Sequence, residues 1–111
     1  MLAGSDAVGA VWEVPGFALH REFGELARAG LTPLRILQMT TLHAAEFLGI
    51  SATAGTVEAG KNADLVFLSR NPVSDAANLS RVVGVMHRGR LRTGAELDAI
   101  KRDVSARAPA Q

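Results

Sequence analysis

Halfway along the chain the apolar pattern changes period, and that change constrains the fold more than any other feature. Before residue 50, apolar residues recur at helical spacing; after it, they fall in short runs. Leu19, Phe23, Leu26 and Ala27 lie at i, i+4, i+7 and i+8, one face of a helix, and Gly30 stands where a helix would stop. Gly24 inside that helix costs about 1 kcal/mol relative to Ala, so the helix depends on packing. Thr32-Pro33 supplies a hydroxyl N-cap with proline at the first helical position, and Leu34 and Leu37 continue one face. Thr41 is placed to cap a second short helix carrying Leu42, Ala45 and Leu48, closed by Gly49.

Beyond Ser51-Ala52-Thr53 the residues favour strands. Ala63 to Leu68 and Val82 to Met86 are short apolar runs rich in strand formers. Arg88-Gly89, between Met86 and Leu91, is suited to a tight hairpin turn with Gly89 at positive φ. Asn71-Pro72 marks an irregular link between the strands. Ala95 to Ile100 predicts one or two helical turns, and Ala106 to Gln111 a frayed tail. At the start, Leu2 to Asp6 reads as a very short strand entering a loop that holds Trp12 and Pro15-Gly16. Helices first and strands last, in one domain of 111 residues, make an α+β chain.

Composition narrows the function. With 48% hydrophobic and 21% charged residues, the chain has the balance of a globular protein. A formal net charge of +1 carries no electrostatic footprint for nucleic acid. The absence of Cys rules out disulfides and thiolate metal sites. No apolar run approaches the ~18 residues needed to cross a bilayer. Met1 to Asp6 has neither the basic nor the apolar region of a signal peptide, so a soluble cytoplasmic protein is expected.

Two motifs invite overreading. Gly55-Thr56-Val57-Glu58-Ala59-Gly60-Lys61-Asn62 matches the G-x-x-x-x-G-K part of a phosphate-binding loop. Asn62, however, replaces the Ser or Thr that must reach Mg²⁺, and the segment opens a strand instead of a helix. A tight turn at Gly60, with Asp64 as an opening polar residue, is the simpler reading. The histidines, His20, His43 and His87, are too widely spaced for a short metal motif. His20 and His43 are expected on helices as surface or packing residues, and His87 is expected to face solvent. Arg81, Arg88, Arg90 and Arg92 read as the solvated face of an exposed hairpin.

Taken in order, Gly4-Ser5-Asp6, Gly30-Leu31-Thr32-Pro33, Thr40 to Gly49 and Gly55 to Leu68 are more specific than any one of them alone. From Leu2 to Leu91 this order resembles the C-terminal end of the amidohydrolase superfamily of metal-dependent hydrolases, particularly its imidazolonepropionase-like and dipeptidase-like members. The resemblance implies an α/β fragment. Residues 1–50 would end a (β/α)8 barrel with its last strand and helices, residues 51–93 would be strands of a small β-sandwich, and residues 94–111 a short helix and tail. A complete barrel takes about 250 residues.

Likeness to the family makes Asp6 both the catalytic carboxylate and a metal ligand, at the mouth of the last barrel strand. There it would take a proton from metal-bound water and pass it to the leaving nitrogen. The implied cofactor is a divalent metal, zinc above all, and the implied substrate a small amide, cyclic amide or peptide. The family's His-x-His pair, its carboxylated Lys or Glu and two further histidines have no counterparts here. The chain alone is therefore expected to bind no metal tightly, to be inactive, and to self-associate or require an amino-terminal portion. The other reading is a non-catalytic remnant or small interaction module.

Overall fold

The computed structural model describes residues 1–5 and 16–107. Three helices come first: α1 (Ala18–Arg28), α2 (Pro33–Thr40) and α3 (Leu42–Phe47). Strand β1 (Leu65–Leu68), a 3-10 helix (Ala76–Ser80), strands β2 (Val82–His87) and β3 (Arg90–Thr93), and helix α4 (Gly94–Arg107) follow. The fold is thus α+β, with the period change of the sequence marking the passage from helices to strands.

Local chemistry sets the helix ends. Gly30, at φ 91°, lets α1 close with paired reverse bonds: the Gly30 N–H donates to Ala27 O at 3.0 Å and the Leu31 N–H to Leu26 O at 3.1 Å. Gly49 closes α3 in the same way, with Gly49 N–H donating to Glu46 O and Ile50 N–H to Ala45 O. Thr32 caps α2 as expected, its hydroxyl oxygen accepting from the Arg35 N–H at 3.3 Å, with Pro33 leading the helix. Thr41 departs from expectation. Its hydroxyl turns back to donate to Leu37 O at 2.7 Å, so α3 begins without a side-chain cap.

The core forms where the two halves meet. Phe23 of α1, Ile36 of α2, and Ala76 and Leu79 of the 3-10 helix are buried together, with Leu19, Leu26, Leu31, Leu37 and Leu68 packed around them. The inward face of α2 centres on Ile36 and Met39, both fully buried, whereas Leu34 is exposed. Of the expected Leu34–Leu37 stripe, Leu37 packs against the core and Leu34 is exposed. The link after Asn71 is also more ordered than its polar composition suggests. Asn71 Oδ1 accepts from the Val73 N–H, Asp75 Oδ1 accepts from the Ala77 N–H, and the resulting turn of 3-10 helix delivers Ala76 and Leu79 to the core.

The sheet has the antiparallel order β1-β2-β3. Leu65 faces Met86, which in turn faces Leu91, and the register shifts between Phe67 and Leu68. Arg88 and Gly89 both have positive φ, 50° and 78°, the backbone of the two-residue hairpin turn that matches strand twist. Gly84 is buried in β2 under Phe67 and Leu91: a Cβ there would lie 3.6 Å and 3.7 Å from their side chains. Apolar side chains nonetheless remain exposed on both faces of the sheet, at Phe67 and Leu91 on one and Val66 and Val83 on the other.

Two expectations fall short at the chain ends. Residues 1–5 form no strand, and a strand needs a neighbour to complete its ladder of hydrogen bonds. Helix α4 runs for 14 residues, well beyond the one or two turns expected for Ala95 to Ile100. Thr93 and Glu96 start it with a capping box: the Glu96 carboxylate accepts from the Thr93 N–H at 2.6 Å, and the Thr93 hydroxyl accepts from the Glu96 N–H at 3.4 Å. Pairs Lys101–Asp98 and Arg107–Asp103 line its exposed surface.

Candidate functional site

Asp6 and Trp12 lie outside the described residues, so the candidate site is approached from what leads to it. Met1 and Leu2 line an open cleft of about 400 Å³ with Arg35 of α2 and His43, Glu46 and Phe47 of α3. The segment that delivers Gly4-Ser5-Asp6 therefore begins against the α2–α3 pair.

The histidines do not gather. His20 sits on α1 with its ring 6.1 Å from that of Phe17 and 5.9 Å, edge to face, from that of Phe23, so it packs among aromatics. His43 is half-buried on α3. The Nδ1 atoms of His20 and His43 are buried and have no hydrogen-bond partner among the described residues. His87 is exposed at the hairpin, as its place before the turn predicts. Among the described residues no three His, Cys, Asp or Glu side chains converge as a metal-binding group. These residues do not by themselves fit the metal that the resemblance implies, and the expected ligand Asp6 lies outside them.

The loop with phosphate-binding spacing has its own internal chemistry. Lys61, 15% exposed, donates to the Thr56 hydroxyl and lies 3.5 Å from Glu58, while the Thr56 hydroxyl donates to Glu58 at 2.6 Å. The Thr56 bond, more than Lys61, holds the Glu58 carboxyl below its ordinary value. With its ammonium committed and β1 following in place of a helix, this loop is a turn into the sheet. Gly60 makes that turn at φ 88°.

Asp64 does more than open a strand. Its Oδ1 accepts from the Arg88 N–H at 2.7 Å and lies 2.9 Å from His87 Nδ1, while the Gly89 N–H donates to Ala63 O at 3.0 Å. One carboxylate thus pins the hairpin turn, including the residue that takes positive φ without being glycine. No local signal in the sequence joins positions 64 and 88. The Arg88 amide is the main reason the Asp64 carboxyl titrates below its ordinary value. The Thr93 amide acts likewise on Glu96, helped by the nearby Arg92 and Arg90.

A carboxyl whose folded pKa is depressed stabilises the fold above its unfolded pKa, and the contribution is lost as pH falls through the folded value. Asp64, Glu58 and Glu96 all have this sign, so stability should fall on the acid side of about pH 4. Asp64→Asn keeps an acceptor for the Arg88 amide but removes the titration. In urea unfolding, the variant should be less stable than the parent at neutral pH, and the gap should close toward pH 2.5. A gap that is constant with pH would contradict the clamp.

The sequence pattern of the amidohydrolase family matches residues 4–92. Solved structures resemble the chain as well. A Xaa-Pro dipeptidase with methionine bound in its active site is 32% identical, with a TM-score of 0.64 over 68% of this chain and 19% of its own. A Bifidobacterium longum protein designated a prolidase is 34% identical, with a TM-score of 0.65 over 83% of this chain and 24% of its own. A prolidase complexed with N-methylphosphonate-L-proline is 32% identical, with a TM-score of 0.55 over 67% of this chain and 18% of its own. The chain therefore spans less than a quarter of the length of these three structures. No curated protein matches it significantly. Among the described residues, no helix is long and apolar enough to cross a membrane. On the match over residues 4–92, the chain belongs to the amidohydrolase family.

Proposed function

We propose that this chain is the C-terminal portion of an amidohydrolase that hydrolyses the C–N bond of a small peptide or amide, with Asp6 as its catalytic carboxylate. The observation that carries this reading is the family match over residues 4–92, which includes Asp6 at the end of Gly4-Ser5-Asp6. The dipeptidase and prolidase likenesses favour a dipeptide over a cyclic amide. Residues 1–50 would close a (β/α)8 barrel and residues 51–93 would contribute to a β-sandwich. The proposed setting is the cytoplasm.

A divalent metal, zinc in this proposal, would polarise the scissile carbonyl and activate water in the complete enzyme. Asp6 is the one ligand proposed from this chain. Its chemical task is to accept the proton of the attacking water and hand it to the departing nitrogen, which requires the ionised form first and the protonated form next.

Two results are expected for the isolated chain. Supplied with Zn²⁺, Mn²⁺ or Co²⁺, it should not turn over dipeptides or N-acyl amino acids, because one carboxylate is too few ligands for a hydrolytic zinc site. Turnover that survives repurification and disappears in Asp6→Ala would contradict this. The chain should also self-associate, because apolar residues on both sheet faces, including Val66 at 60% and Leu91 at 50% exposure, call for cover. Sedimentation should show oligomers; a monodisperse monomer with a sharp cooperative melt would instead support an independent module.

Joining the chain to the amino-terminal remainder of an amidohydrolase tests the function itself. Metal-dependent dipeptide hydrolysis supports the proposal. A folded, metal-loaded protein that turns over no dipeptide, amide or cyclic amide supports the non-catalytic reading.

A further inference from the structure

We draw no further inference here: the strongest candidate, the exposed apolar surface patches on the two faces of the three-stranded sheet, Phe67 with Leu91 on one and Val66 with Val83 on the other, carries nothing because nothing in the structure shows what covers either.

Discussion

Gly55→Ala should destabilise the fold by about 2–5 kcal/mol, a large loss for one added methyl group. Two costs combine. Gly55 has φ 93°, a backbone that an L-residue adopts at a cost of about 1–2 kcal/mol. A Cβ built there would also lie 2.6 Å from the Cβ of Ala45, 3.3 Å from Thr41 O and 3.4 Å from the Leu42 Cα. Ala45 is buried on α3, so the contact is relieved only by moving a helix, and overpacking of this kind costs about 1–3 kcal/mol more. Gly60→Ala separates the two costs. Gly60 has φ 88° and nothing within 4 Å of its Cβ position, so that variant should lose the backbone part alone. Chemical or thermal unfolding of the two variants should rank Gly55→Ala well below Gly60→Ala. Equal losses would show that the loop does not seat against α3.

The same contact shows what kind of information the sequence carries. Gly30, Gly49, Gly89 and the Thr32-Pro33 start act through bonds spanning a few residues, and each was legible because its whole mechanism lies in adjacent letters. The Thr93 to Glu96 capping box is equally local, and it starts α4. Ile36 and Met39 were harder. Which side of an eight-residue helix faces inward depends on where α1 and the 3-10 helix lie, and a short stripe of apolar residues fits more than one rotation. Thr41 and Asp64 illustrate competition and distance. The Thr41 hydroxyl had a carbonyl of the preceding turn within reach, and Asp64 meets a turn 24 residues away through the pairing of β1 with β2. The expectation for Asp6 rests only on the order of motifs around it, since Gly-Ser-Asp is by itself an ordinary turn sequence.

Asp6→Asn should lower kcat by about 10²–10⁴-fold in the complete enzyme, the usual contribution of a positioned general acid–base group. Asparagine keeps the size and one carbonyl oxygen of the side chain, so local packing and some coordinating ability persist. In the proposed role it loses the negative charge that would accept the proton of the attacking water, and with it the acid that would protonate the leaving nitrogen. The loss should therefore fall on kcat more than on KM. Circular dichroism and metal content would separate this effect from misfolding or a vacant metal site. Lys61→Ala offers the contrast. Lys61 is tied to Thr56 and Glu58 in the turn before β1, so its removal should leave kcat nearly unchanged.

The most direct test is kcat for dipeptide hydrolysis, at saturating metal, by the chain joined to an amidohydrolase amino-terminal portion, with Asp6→Asn and Lys61→Ala measured side by side. A fall of about 10²-fold or more in Asp6→Asn, with Lys61→Ala close to the parent, is the expected result. Near-normal kcat in a folded, metal-loaded Asp6→Asn protein would contradict the assignment of Asp6 as the catalytic carboxylate.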